Sequence, residues 1–498
     1  MRRRDWMRAA AGGALAIPRF ASAQIPAHPS LLEFSPIEFQ PPEASQHRRE
    51  LPAGAVAYLV EDHQFPLVDV SVTIRTGGYL VPDEDIDVAS FTGSQMRAGG
   101  TQSVSFTDFD EEAAFLATQI GCSVGRTSSS ASVGCLKQNL DRSLEMFFDM
   151  LMHPGFDAQQ LELSVARTLQ GLERRNDSTR SIVNREYARL MRGDHFTTRQ
   201  STEDTVRRVT PERMAAFHAQ HYSPSRFIFS VSGDFDTDEM FDKLSAYLTS
   251  SDWPELGAAP AIPAPTHHPR PGVYMVDKVD ENLNQAQVRI GHLGIARSNP
   301  DHIAASVMNY ILGGGSFVSR IMSRVRSDEG LAYSASSSMT PGTYYPGLFS
   351  AAFQSENGRC AQAATIVLEE MQRIREEKVS DEELELSHNY NIEIFPRFFA
   401  TAGQVAGTFA ADEYTGREEG YWQNYRDRIA AVSADDIQRV AQTYLKPEQA
   451  VILAVGATDA VKAGNPDEPS YSFQSLAQDG EIEMIPLPDP LTMKYPEG

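Results

Sequence analysis

The sequence predicts an α+β fold in which one unit is used twice, and three observations carry that prediction. Two distant pairs of segments align at a single offset of 223 residues. Asp157-Ala-Gln-Gln-Leu-Glu-Leu-Ser164 matches Ser380-Asp-Glu-Glu-Leu-Glu-Leu-Ser387. Thr210 to Gly233 matches Ser433 to Gly456, with Met214/Ile437, Phe217/Val440, Pro224/Pro447 and Gly233/Gly456 in register. Between the copies, prolines at 254, 260, 263, 265, 269 and 271 give the composition of a stiff, extended connector. At 498 residues the chain also exceeds what one core supports.

Each element has a local cause. Both halves open with a short apolar strand, Ala57–Val60 and Val273–Val276, followed by a second β-rich run. Thr210 and Ser433 are N-caps, with acidic residues in the first turn that favour the helix dipole. Apolar residues then recur at helical spacing until Pro224 or Pro447 ends the helix. The β-branched and aromatic runs Phe227–Val231 and Val451–Val455 follow as strands that end at glycine. Each half thus reads as an antiparallel sheet with helices packed on one face. The expected divisions are an export signal over 1–23, an N-terminal extension over 24–44, domains over 45–253 and 273–462, a connector over 254–272, and a Pro-rich tail over 463–498.

Arg2, Arg3, Arg4 and Arg8 precede the apolar run Ala9–Pro18, and Ala21-Ser22-Ala23 supplies the small residues of a cleavage site. The stretch Arg3–Arg8 resembles a twin-arginine export signal, and Gln24, where a lipid anchor needs Cys, favours a soluble exported protein. The expected location is the periplasm. No later segment has 18 uninterrupted apolar residues, so no membrane span is expected. The formal charge is −23, and residues 1–23 carry five Arg and one Asp, leaving −27 on the rest. Such a charge repels nucleic acid and anionic membranes. Cys122, Cys135 and Cys360 are an odd set. Cys122 and Cys135 flank a hairpin, and either a disulfide across it or two small buried hydrophobes fits the sequence.

Leu59-Val-Glu-Asp-His63-Gln-Phe-Pro66, Arg167-Thr-Leu-Gln-Gly-Leu-Glu-Arg-Arg-Asn176 and Arg326-Ser-Asp-Glu-Gly-Leu-Ala-Tyr333, together with the order of elements, resemble the pitrilysin and mitochondrial processing peptidase family over residues 45–460. The resemblance implies a two-lobed clamshell. Active members carry H-x-x-E-H on the first helix, two zinc-binding histidines around a general base, and a second Glu from a later helix. Here Ser90 and Ser94 hold the ligand positions, Gly93 the base position and Gly171 that of the third ligand. Serine is not an ordinary zinc ligand, and glycine is neither ligand nor base, so no metal is expected in this chain. His218/His221, His267-His268 and Glu385-x-x-His388 each lack a third ligand. Neither a G-x-S-x-G elbow nor a phosphate loop is present, and Gly313-Gly314-Gly315 lacks the lysine such a loop needs.

The second half keeps more. In the resembled family an Arg and a Tyr seven residues apart reach the bound peptide, and Arg326 and Tyr333 have that spacing. Arg offers a fixed fork to a carbonyl or oxyanion, and Tyr a phenolic donor. Gly313, Gly314 and Gly315 resemble a glycine-rich stretch near substrate, where positive φ and close backbone approach are possible. A chain with its zinc site erased and this pair intact resembles the subunit that completes a metallopeptidase in trans. The implied partners are a homologous H-x-x-E-H subunit carrying the zinc and unfolded or extended peptides added to a sheet edge. The alternative is an inactive peptide-binding or scaffold protein of the same fold.

Overall fold

The computed structural model describes residues 39–250, 252–278, 284–477 and 480–496. The export signal expected over 1–23, and residues 24–38 of the expected extension, lie outside the described residues.

The first sheet holds β1 (Arg48–Glu50), β2 (Val56–Glu61), β3 (Leu67–Ile74), β4 (Gln119–Val124), β5 (Ser129–Leu136) and β6 (Phe227–Gly233), in the order β1-β2-β6-β3-β5-β4. The second holds β7 (Gly272–Asp277), β8 (Gln285–Leu293), β9 (Ala332–Thr340), β10 (Leu348–Glu356), β11 (Val451–Gly456) and β12 (Ile482–Met484), in the order β12-β7-β11-β8-β10-β9. The two orders coincide strand for strand, except that the outermost position is filled from before β2 in one half and from the C-terminal tail in the other. The architecture is two-lobed and α+β. The sheets, however, are mixed: β2–β6, β7–β11 and β7–β12 pair in parallel, and the remaining ladders are antiparallel. The parallel pairs arise because β2 and β6, and β7 with β11 and β12, lie side by side although most of each half separates them in sequence.

The aligned caps form as their chemistry requires. The Asp157 carboxylate accepts from the Gln160 N–H, and Thr210 Oγ1 accepts from the Arg213 N–H. Ser380 with Glu383 and Ser433 with Asp436 make reciprocal capping boxes. The connector is held down by side chains of the first half: Ser223 donates to the Pro254 carbonyl at 2.8 Å, Tyr79 to Pro260 at 3.0 Å, and His195 contacts the Pro263 carbonyl at 3.0 Å.

Helices cover both faces of each sheet, and one cover in each case comes from the other half. Ala402–Thr415 from the second half lies on β2 and β6, burying Val405, Ala406, Phe409 and Ala410. Thr179–Arg192 from the first half lies on β8 and β11, where Ile182, Val183, Tyr187 and Met191 join Tyr274, Val276, Val451, Leu453 and Val455 in a separate core. This double cover explains why every residue of β11 is buried and why its sequence is one unbroken apolar run. The four buried apolar side chains of Thr179–Arg192 contribute roughly 6–12 kcal/mol of gross burial. Polar contacts tie the exchange: Tyr58 donates to Glu413 at 2.8 Å, Arg48 pairs with Glu413 at 3.0 Å, and Arg75 donates to the Glu413 and Tyr414 carbonyls. Beyond β12, Asn176 donates to the Pro488 carbonyl, and Tyr495 donates to the buried Glu186 at 2.8 Å.

Cys122 lies opposite Ala131 across the β4–β5 hairpin, and Cys135 is four residues further along β5, roughly 13 Å by strand rise. All three cysteines are free thiols, so the disulfide left open by the sequence is not formed.

Candidate functional site

The helix Ile86–Ala98 packs across β4, the open edge of the first sheet. Ser90 Oγ donates to the Asp87 carbonyl at 3.1 Å and Ser94 Oγ to the Phe91 carbonyl at 3.2 Å, so both hydroxyls bond back to their own helix. At Gly93 a side chain has no room. A Cβ there would lie 2.7 Å from the Ser123 carbonyl carbon, 2.9 Å from its Cα, and closer still to the Val124 nitrogen. The strand backbone occupies the volume a glutamate would need. Gly171, by contrast, is exposed on the helix Ala158–Glu173 and has open space around its Cα. These four residues do not fit a zinc ion. Among the described residues no group of three or more His, Cys, Asp or Glu side chains is placed to hold a metal.

In the second half Arg326 sits in an irregular helical turn, Ser323–Asp328, which leads into edge strand β9. Its guanidinium carbon lies 4.7 Å from the Phe317 ring centre and 4.8 Å from that of Tyr333. The two rings stay in water, Phe317 63% and Tyr333 83% exposed, and no carboxylate pairs with Arg326 among the described residues. Aromatic faces fix the cation and leave its N–H fork free. The glycines serve packing. None of Gly313, Gly314 and Gly315 adopts positive φ; that conformation falls on Ser316, at 53°. Gly313 is buried with the Ser337 nitrogen 2.6 Å from where its Cβ would be, and Gly315 meets the Tyr310 carbonyl at 2.8 Å. Of the three, Gly314 alone is exposed. Sequence reasoning missed Phe317, although a large apolar residue directly after a glycine run is a readable signal.

Residues 208–389 match the family model described as the peptidase M16 inactive domain. The chain carries an M16, or pitrilysin-family, peptidase domain. It is 25% identical over 322 residues to an uncharacterized zinc protease of Streptomyces coelicolor, covering 64% of this chain and 70% of that one. It is 21% identical to a non-peptidase homolog of Helicobacter pylori, covering 55% of this chain and 62% of the other. The fold matches the crystal structure of a peptidase M16 inactive domain from Pseudomonas fluorescens with a TM-score of 0.73, 20% identity, and coverage of 82% and 97%.

His218, His221 and His388, weighed above as metal ligands, pack within the fold. His218 contacts the Leu151 carbonyl at 2.7 Å, and burial pushes its pKa down to about 4. Burial likewise lowers His221 to about 4 and lowers His388. His267 contacts the Leu190 carbonyl at 3.0 Å.

Proposed function

We propose that this M16-fold chain is a non-catalytic, peptide-binding protein that holds extended chains at the open edge of β9. One observation carries the reading: Arg326 is held against the exposed rings of Phe317 and Tyr333 with no carboxylate among the described residues to satisfy it. A structural arginine is normally paired or buried along its stem, whereas this one presents a fork to solvent beside an unpaired strand edge. An extended peptide adding to β9 gains main-chain hydrogen bonds there, and Arg326 donates to one of its carbonyls. The non-peptidase homolog among the relatives supports the non-catalytic part of the reading. The test is binding of a fluorescently labelled unstructured peptide, followed by anisotropy. Arg326→Ala is expected to weaken it by about 10- to 100-fold, the equivalent of a charge-assisted bond. Equal affinity in wild type and variant refutes the site.

A second reading is favoured by the retained Arg326/Tyr333 spacing: the chain completes a zinc metallopeptidase in trans, with the metal and general base on a homologous partner, in the periplasm. Affinity purification from the native cell with zinc quantification separates the readings. One zinc per complex arriving with an H-x-x-E-H partner supports the subunit; a chain recovered alone and metal-free supports the binding protein.

A further inference from the structure

Beside Ser90, in the lobe opposite Arg326, lies a cavity of about 240 Å³ lined among others by Asp87, Ser90, Gly125, Arg126, Arg199 and Ser201. In a chain of net charge −23 its surroundings are cationic. Arg126 is exposed, lies on the turn after β4, and has no carboxylate partner among the described residues. Its own main chain is fixed, because its carbonyl accepts from the Tyr79 N–H at 3.1 Å. Arg199 pairs with the exposed Asp83 at 2.7 Å and donates to the Val81 carbonyl at 2.8 Å. Arg192 lies outside the lining, near His195: it stacks on Tyr345 at 4.8 Å, has no carboxylate partner among the described residues, and keeps a buried Nη1 without an acceptor. His195 feels all three. Its pKa is lowered first by burial, against the pull of the Pro263 carbonyl, and then by Arg192, Arg199 and Arg126.

The acid inside the cavity is already spent. Asp87 is 4% exposed and accepts from Ser201 and Thr205, each at 2.6 Å, with Arg175 in its field. The cationic donor in the lining left to meet a ligand is therefore Arg126. The cavity opens where β4 ends: Val124, its last residue, lines the wall, and β4 is the outer strand of its sheet. An extended chain that pairs with β4 in the parallel sense brings its C-terminus to this mouth.

We propose that this cavity is a receptor for the terminal carboxylate of an extended peptide, with Arg126 as its principal ligand. Two N–H groups of a planar guanidinium match two carboxylate oxygens, an arrangement lysine does not reproduce. The inference rests on the peptide-binding reading only for the class of ligand, because it uses a different lobe and different residues.

The test uses the full chain and one unstructured hexapeptide of alanine and leucine, as the free acid and as the C-terminal amide, titrated calorimetrically. The free acid is expected to bind roughly 10- to 100-fold more tightly than the amide. Arg126→Ala should erase that ratio, and Arg126→Lys should restore only part of it. Arg126 is exposed, and circular dichroism of each variant checks that it folds. Arg326→Ala should leave the acid-to-amide ratio intact, which separates failure here from failure of the β9 site. Equal affinity for acid and amide, an acid preference that survives Arg126→Ala, or no binding of either peptide overturns the proposal. So does displacement of the free acid by equimolar inorganic phosphate, which would mark an unselective anion site.

Discussion

Consider the same substitution, Gly→Ala, at two helical glycines, Gly93 and Gly171, which the family resemblance aligns with a metallopeptidase's base and third ligand. Within a helix interior, alanine gains about 1 kcal/mol over glycine through backbone entropy. At Gly171 nothing opposes that gain, since no atom lies within 4 Å of the new Cβ, so Gly171→Ala should stabilise by about 0.5–1 kcal/mol. At Gly93 the methyl would meet the Ser123 and Val124 backbone at under 3.0 Å, and backbone in a paired strand cannot swing aside. Overpacking of that kind costs about 3 kcal/mol, which leaves a net loss of about 2 kcal/mol after the helix gain. The assay is urea unfolding followed by circular dichroism at 222 nm, both variants beside wild type. The midpoints should move in opposite directions. A Gly93→Ala variant as stable as wild type would refute the claim that the strand occupies this volume. It would also reopen the possibility of restoring a metal centre, which otherwise fails at the first atom of the side chain.

Two further outcomes follow from the packing. Ile182→Ala removes a fully buried side chain of the first half from the core of the second, at a cost of about 2–5 kcal/mol. Hydrogen exchange should then show lost protection in β7 and β11, at least 90 residues away in sequence; a loss confined to the first half would refute the exchange. The second outcome concerns pH. His218 and His221 are held neutral in the fold, with pKa lowered to about 4 by burial, whereas the unfolded chain protonates them near 6.5. The unfolded state therefore binds more protons between about pH 6.5 and pH 4, and stability falls as pH falls through that window. A urea midpoint that stays flat from pH 7 to pH 4 contradicts this.

Much of the fold was legible because local chemistry repeats. The shared caps at 157/380 and 210/433, the prolines at 224 and 447 and the glycines that end β6 and β11 all have causes confined to a few residues. The helix exchange was not legible. The apolar stripe of Thr179–Arg192 states that a face is buried and is silent on which sheet buries it. The parallel pairing of β2 with β6 depends on strands about 170 residues apart, beyond any local pattern. At the candidate site, the residue types at 90, 93, 94 and 171 were readable, but the strand filling the space beside Gly93 was not. The arginines lining the cavity beside Ser90 come from positions 126 and 199, and no window of sequence brings them together.

The exchanged helices set a timetable for synthesis. The first sheet is complete in sequence once Gly233 leaves the ribosome, yet one of its faces is covered by Ala402–Thr415, whose last residue comes 182 residues later. At about 5–20 residues per second, roughly 10–40 s pass in which an apolar sheet face has no partner from its own chain. Neither half can be released as a finished domain in that interval. A nascent chain truncated before residue 402 should therefore depend on a holding chaperone where the full-length chain does not.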